Sequence, residues 1–297
     1  MAIGVALPLV DVGDLFAGTP ATPAPPPGAP VLAAVRDGDR VGMLNHAIAT
    51  LGGMGAFVRP GQTVVIKPNI SFDAPPEHGS NTHPDILRRL VVLCRQAGAR
   101  SVTIVDNTLD PWPAAIASSG AEAVARETGA ALVNGSDETL YREVPVPHGR
   151  RLRSVRVNGL ILDSDVFINV PVLKHHGGAL MTAGMKNLMG TVWERKPWHR
   201  DDLHQCIADF LTLRRPSLTV VDAYHPMVRH GPRGRGPGDL VEMRMLLASA
   251  DVVAVDAACA RILGHQPSDV RHVKLAGEMK LGIMDLTKVD IRRFKLA

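Results

Sequence analysis

From Val31 onward, short runs of β-branched apolar residues alternate with amphipathic stretches of helical spacing. This alternation predicts a parallel or mixed sheet whose strands are joined by crossover helices. Nearly continuous apolar runs are typical of central strands that are covered on both faces. The runs of this kind are TVVIKPN (63–69), SVTIVDN (101–107), DVFINVP (165–171) and LTVVDAY (218–224). Further strands are expected at 31–35, 131–135 and 243–249.

Helices are predicted between these strands, at 41–51, 84–97, 114–128, about 181–190, 201–213 and 252–263. The second of them has a clear start, because Thr82 or His83 lies in the cap region and Pro84 lies in the first turn. Residues 144–158 alternate and are rich in arginine, which indicates an exposed hairpin or edge. The predicted fold class is α/β: a mostly parallel or mixed central sheet with flanking helices, Rossmann-like.

The first 29 residues differ from the rest in composition. A short apolar opening is followed by a Pro/Ala/Gly-rich run, which resembles the hydrophobic and cleavage regions of an export signal without its basic leader. We expect a disordered tail or remnant export signal over 1–29, then a single α/β domain over 30–297. The location is cytoplasmic as the sequence stands, or periplasmic if the start is a truncated signal. Without a run of about 18 apolar residues, no transmembrane segment is expected.

Composition narrows the possible partners. The three cysteines, Cys94, Cys206 and Cys259, are far apart, so no iron–sulfur cluster is expected from this chain's own cysteines. The formal charge of +4 favours an anionic partner. Aromatic residues make up only 4% of the chain and no dense basic face accompanies the charge, which argues against nucleic-acid binding. A small anionic ligand fits this composition better.

Polar residues lie at or just past the carboxyl ends of four of the predicted strands. In open α/β sheets this edge lines the ligand crevice. Asp and Asn at a strand end also make turns and cap helices, so each position alone has a structural explanation. Polar residues at the ends of four strands together predict a ligand-binding crevice. The positions are Lys67 and Asn69, Asp106 and Asn107, Asn169 followed by Lys174, and Asp222.

Residues 169–193 place basic side chains in an apolar, glycine-rich segment. Burial of such groups is costly unless they find a partner or a ligand. Lys174, His175, His176 and Lys186 are therefore candidate catalytic residues, since imidazole is a general base or metal ligand and a desolvated lysine has a lowered pKa. Neighbouring side chains of an extended segment point in opposite directions, so one of the two histidines is expected to face the ligand. The alternative is a solvated basic loop.

Three further features have both a functional and a structural interpretation. A glycine-rich turn over 177–182 precedes Lys186 and Asn187, and its backbone N–H groups would attract an anion, although no phosphate-loop motif is present. The histidines and aspartates of 199–204 form a metal site or cap a helix. The loop 230–238 is a mobile lid that carries two arginines toward an anion, or an exposed loop.

Several motifs together resemble the family called domain of unknown function 362. The resemblance covers about residues 60–283, and its motifs are VVIKPNI, THPDILRRLVVLCRQAGARSVTIVDN, NVPVLKHH, GMKNLMG, VVDAY before a GP-rich loop, and SADVVAVDAACARILG. Many relatives are described as iron–sulfur associated and some begin with a twin-arginine signal, whereas this chain lacks both features. A looser likeness, on topology and Lys/His content only, is to lactate racemase, which acts on a small hydroxy acid with a metal cofactor. The resemblance implies recurrent polar positions at Lys67, Asn69, His83, Asp106, Lys174, His175 or His176, Lys186, Asn187, Asp222 and Asp256.

Two hypotheses from different classes follow. In the first, the protein binds a small anion at the carboxyl edge of its sheet and performs acid–base or metal-assisted chemistry with the four candidate catalytic residues. The ligand-binding residues would be Lys67, Asn69, His83, Asp106, Asn187 and Asp222. In the second, it is a non-catalytic accessory or maturation protein for a metal or iron–sulfur centre. The sequence leaves open whether the protein is an enzyme, whether it holds a metal or cofactor, and whether it has a protein partner or forms a homo-oligomer.

Overall fold

The computed structural model describes residues 26–297, so most of the predicted tail, residues 1–29, lies outside the described residues. The strands are β1 (Val31–Arg36), β2 (Thr63–Pro68), β3 (Ser101–Asp106), β4 (Ala131–Asn134), β5 (Tyr141–Pro145), β6 (Ser154–Asn158), β7 (Val166–Val170), β8 (Val172–His176), β9 (Leu180–Thr182), β10 (Leu218–Met227), β11 (Met245–Ser249) and β12 (Asp290–Lys295). The helices are α1 (Arg40–Thr50), α2 (Pro84–Gln96), α3 (Trp112–Ser118), α4 (Ala121–Thr128), α5 (Gly159–Asp163), α6 (Gly184–Asn187), α7 (Lys196–Arg200), α8 (Leu203–Leu213), α9 (Val252–Ile262) and α10 (Arg271–Glu278).

Ten of these strands form one sheet in the order β12-β1-β11-β10-β7-β2-β3-β4, with β8 paired to β10 and β9 paired to β8. The strands from β10 to β4 run parallel to one another. Strand β11 is antiparallel to both of its neighbours, and β12 is parallel to β1. The predicted α/β class, with a mostly parallel or mixed central sheet and flanking helices, is confirmed.

The core consists of two apolar clusters on opposite faces of the sheet. Because strand side chains alternate, Val64 and Ile66 of β2 belong to one cluster and Val65 belongs to the other. Helices α1 to α4 cover the first face, for example with Leu44, and α8 to α10 cover the second, for example with Phe210. Burial on both faces explains why the central strands are nearly continuous apolar runs.

The predicted central strands and most helices are observed close to their expected positions. The arginine-rich segment is a separate two-stranded antiparallel sheet, β5 and β6, as its alternation indicated. The helix expected over 114–128 is two helices, because Gly120 adopts a left-handed φ of 77° between them. The helix expected near 181–190 begins later, since residues 181 and 182 belong to β9, and it consists of the single turn α6 followed by a 3-10 turn over Leu188–Thr191.

The two histidines lie on a strand and not on a solvated loop. Strand β8 pairs in parallel with the second half of β10 and antiparallel with β9. Gly177 and Gly178 form the turn between β8 and β9, so they do not open a helix as the sequence suggested. This arrangement carries β8 past the carboxyl end of the central strands.

Candidate functional site

A cavity of about 470 Å³ lies at the carboxyl ends of the central strands. Basic side chains dominate its wall. The basic residues that line it are Lys67, Lys174, Lys186, Arg195 and Lys196, with the imidazoles of His176 and His199, whereas Glu194 is the one acidic lining residue among the described residues. Glu194 and Lys196 are exposed, so the inner part of the cavity is cationic.

Lys67 and Asp106 form a buried ion pair at the base of the cavity. Lys67 Nζ lies 2.7 Å from Asp106 Oδ1, and both side chains are almost fully buried. The carboxylate also accepts hydrogen bonds from the backbone N–H groups of Ile70 and Asn107. Burial lowers the pKa of Lys67 and the charge of Asp106 opposes this effect. The positive charge of Lys67 is thus neutralised from within the protein.

Gly190 allows this pair to lie against the backbone. A Cβ at this position would come within 2.6 Å of both Lys67 Nζ and Asp106 Oδ1. Real Cβ atoms do not approach other atoms so closely, so a side chain here would displace the ion pair.

Hydrogen bonds of two asparagine side chains connect the single turn α6 to the central sheet. Asn187 Oδ1 accepts a hydrogen bond from Lys67 Nζ at 3.1 Å, and its Nδ2 donates to Asn169 Oδ1 at 2.9 Å. Asn169 in turn donates to the carbonyl oxygen of Gly184. Asn187 lines the cavity with its polar atoms already occupied, so it positions Lys67 and α6. Asn69 also lines the cavity but differs from Asn187, because its buried Oδ1 has no hydrogen-bond partner among residues 26–297.

Lys174 is buried beside the cavity without a carboxylate. Its Nζ donates one hydrogen bond of 2.6 Å to the carbonyl oxygen of Ser80 and lies 5.1 Å from the centre of the Phe72 ring. Within the described range, no carboxylate lies at ion-pair distance from it. Burial, followed by repulsion from Lys186 and Lys67, lowers the pKa of Lys174 well below that of a free lysine.

Lys186 and Arg195 supply the remaining inner charge. In the part of the chain that the structure describes, the Lys186 ammonium has no hydrogen bond or ion pair. Burial, with repulsion from Arg195 and Lys67, lowers the pKa of Lys186 to about 8. Arg195 donates two hydrogen bonds of 3.1 Å to the carbonyl and side-chain oxygens of Asn107, and burial lowers its pKa.

His176 lines the cavity and His175 does not, in keeping with their alternation on β8. His176 Nδ1 accepts hydrogen bonds of 3.0 Å from the backbone N–H groups of Gly178 and Ala179. Burial, followed by repulsion from Lys186, lowers the pKa of His176 to about 3. The ring is therefore neutral, with its proton on Nε2. It is suited to donate a hydrogen bond, and its Nδ1 is not free to accept a proton or bind a metal.

The N–H groups that begin α6 are occupied by a carboxylate of the protein. Asp256 accepts hydrogen bonds from Gly184 N at 2.6 Å and from Met185 N at 2.9 Å. This corrects the expectation of an anion-binding turn before Lys186. Full burial raises the pKa of Asp256 to about 7.

Two predicted ligand-binding residues lie away from this cavity. His83 caps α2 through Nδ1, and its backbone N–H lies 3.4 Å from a carboxylate oxygen of Asp222. Asp222 is paired with Arg40 at 3.5 Å. His83 and Arg40 line a second cavity of about 390 Å³. Of the other predicted residues, Lys67, Asn69, Lys174, His176, Lys186 and Asn187 line the first cavity, and Asp106 lies directly behind Lys67.

The proposed metal cluster at 199–204 has other partners. Asp201 and Asp202 each pair with an arginine, and His204 Nδ1 lies 3.3 Å from His272 Nδ1. Within residues 26–297, no group of three or more His, Cys, Asp or Glu side chains could hold a metal ion. In the same range, no helix combines the length and the apolarity needed to cross a membrane.

The loop 230–238 contacts the mouth of the cavity. Pro232 lines the cavity, and Arg233 forms a bidentate ion pair with Asp110 while lying 4.5 Å from the centre of the Phe72 ring. Arg233 is thus already paired. Sequence reasoning missed Arg195, because the run TVWERKPW is typical of an exposed charged segment and carries no periodic signal.

Residues 64–261 match the model of the family described as domain of unknown function (DUF362). This match spans more than half of the chain. The chain belongs to the DUF362 family. Every residue that lines the cavity falls inside the DUF362 match.

Among curated proteins, this DUF362 chain is similar to a thylakoid-associated protein of Synechocystis sp., with 28% identity over 83% of this chain and 76% of the relative. Among solved structures, it is similar to the lactate racemase apoprotein from Thermoanaerobacterium thermosaccharolyticum, with a TM-score of 0.41, 12% identity and 83% of this chain covered. A protein from Thermotoga maritima gives a TM-score of 0.43 and 9% identity over 82% of this chain. The chain spans 56% and 60% of these two solved chains, and both likenesses are too distant to indicate a function.

Proposed function

We propose that this protein binds a small anionic molecule in the cavity and acts on it by acid–base chemistry. The observation that carries the proposal is an excess of inner positive charge. Lys67 is neutralised by Asp106, whereas Lys186 and Arg195 bring positive charge to the cavity without a carboxylate partner in the described part of the chain. Unpaired buried cations are costly, and a bound anion would offset this cost in a medium of low dielectric.

Each inner group suits a different task. The Lys186 ammonium is unoccupied in the described structure and is mostly protonated at neutral pH, since its pKa is about 8. A group whose pKa lies near the working pH is suited to proton transfer. Arg195 presents a fixed guanidinium, and His176 presents a neutral Nε2–H donor. The unpartnered acceptor Asn69 Oδ1 is suited to accept a hydrogen bond from a hydroxyl or other donor on the same ligand.

Calorimetric titration at low salt tests the proposal, with inorganic phosphate, succinate and 2-oxoglutarate as probes. At least one of these anions should bind, and Lys186→Met should weaken its binding by about tenfold or more, since a hydrogen bond to a charged group contributes about 1.5–3 kcal/mol. Lys288→Met is the matched control, because Lys288 is exposed, pairs with Asp285 and does not line the cavity. Equal affinities for the two variants, or no binding of any probe, would contradict the proposal.

A further inference from the structure

Lys174 is a basic residue of the cavity that is almost fully buried without a charged partner among the described residues. Lys67 is held by Asp106, and Arg195 is held by Asn107. Lys174 is only 1% exposed, yet its Nζ has one hydrogen bond, to the carbonyl oxygen of Ser80. A buried ammonium with one neutral acceptor would be poorly compensated, whereas a neutral amine at this position leaves a lone pair beside the cavity.

We propose that Lys174 is a nucleophile that forms an imine with an anionic carbonyl compound, with 2-oxo acids as the substrate class. This inference rests on the proposed function, because the same cavity must first bind the anion. The nearby ammonium of Lys186 and the guanidinium of Arg195 would bind the carboxylate. In a 2-oxo acid the carbonyl carbon is adjacent to the carboxylate, so cations that hold the charge also hold the carbonyl close to the amine.

The surroundings of Lys174 favour the reactive form of the amine. Burial and the positive charges of Lys186 and Lys67 lower its pKa well below the usual value, whereas the charge of Asp106 opposes this effect, and the net result favours the unprotonated amine. Desolvation and a second cationic group are the two ways in which proteins activate a lysine nucleophile. The cavity volume of about 470 Å³ lies within the range typical of small-molecule sites.

The step requires no oxidant or reductant. The Nζ lone pair attacks the carbonyl carbon, a C–N bond forms and the π electrons move to the oxygen. One proton passes from nitrogen to that oxygen, which gives a carbinolamine. The C–O bond then breaks, the oxygen leaves as water with the second nitrogen proton, and a C=N bond remains. Lys186, whose pKa is about 8, is suited to give a proton to the departing hydroxyl group and to regain one from Nζ.

Reductive trapping tests the inference on the full chain. The protein is incubated at pH 7 with pyruvate or 2-oxoglutarate and sodium cyanoborohydride, and intact mass and peptide maps are recorded. We expect a single adduct whose added mass equals that of the oxo acid less one oxygen atom, located on Lys174. Its rate should exceed that at any exposed lysine by about tenfold or more, because an amine with a pKa near 10.4 is almost entirely protonated at pH 7. Lys288→Met should retain the adduct and Lys174→Met should lose it.

The peptide map of the wild-type chain decides the question even if Lys174→Met fails to fold. Adduct spread over exposed lysines, or concentrated on Lys186, would overturn the inference. So would the absence of adduct while phosphate or succinate still binds in a Lys186-dependent manner, and in that case the proposed function survives. A second measurement is the pH profile: trapping on Lys174 should rise by clearly less than tenfold per pH unit from pH 7 to 9, whereas a rise of about tenfold per pH unit would show an ordinary, protonated lysine.

Discussion

Replacement of Lys67 by methionine would leave the carboxylate of Asp106 buried without its cation. The 2.7 Å contact between the two groups is sealed from solvent, because the side chains are 2% and 1% exposed. Loss of one partner of such a pair costs about 3–5 kcal/mol of unfolding free energy. Asp106 would keep its two backbone N–H donors, so we expect a value near the lower end, about 3 kcal/mol.

The double variant Lys67→Met/Asp106→Asn separates the ion pair from packing. With both charges removed, no buried charge is left without a partner, so the double variant should be more stable than Lys67→Met alone. We expect a coupling energy of about 2 kcal/mol, within the range found for contacting residues. Its affinity for the anion probe should stay within about threefold of the wild type, because the two charges cancel each other.

Urea denaturation of the wild type, both single variants and the double variant measures these energies, with far-UV circular dichroism as a check on the native fold. Additive single effects, with a coupling energy near zero, would refute the ion pair at the base of the cavity. A large loss of anion affinity in the double variant would refute a different point, namely that the attractive charge comes from Lys186 and Arg195 and not from Lys67.

Two further predictions follow from neighbouring contacts. Gly190→Ala should displace the buried pair and lower the unfolding free energy by about 1–3 kcal/mol, measured in the same urea assay; an unchanged midpoint would contradict it. Asp256 has a folded pKa of about 7, above its ordinary 3.8, so the stability linked to its protonation is present at low pH and is lost as pH rises toward 7 and above. The difference in unfolding free energy between wild type and Asp256→Asn should therefore change by about 2–3 kcal/mol between pH 5 and pH 8 at the expense of the wild type, and a constant difference would show an ordinary carboxyl group.

The parts of the site that sequence could predict are those that follow an apolar strand. Lys67 is the penultimate residue of β2 and Asn69 directly follows the strand, and the rule that ligands meet the carboxyl ends of parallel strands places them correctly. The same rule could not say that His83 lines a second cavity or that Asp222 pairs with Arg40, because a strand end does not specify which neighbours the side chains contact. Strand ends locate the edge of the sheet but not the grouping of side chains along it.

The remaining contacts depend on partners that are distant in sequence. The local sequence suggests that the backbone N–H groups at the start of α6 are free, but both Gly184 N and Met185 N donate to Asp256, which lies 72 positions after Gly184. Strand β8 was not predicted from the sequence, because only the first two residues of VLKHH are apolar. The strand is stabilised by its pairing with β10. Arg195 is held at the cavity by a hydrogen bond to Asn107, which lies 88 positions earlier in the chain. Local periodicity does not predict a contact between residues so far apart.

The long sequence separations within the site also have a kinetic consequence. Lys67 and Asn187 are 120 positions apart, and Lys174 and Ser80 are 94 positions apart, so the cavity has no walls until the parallel strands between them have assembled. Loop closure over such distances is slow, which makes the cavity one of the last features to form during folding. A bound anion would then stabilise only the finished fold, and proteolytic fragments that lack either half of the chain should have no affinity for it.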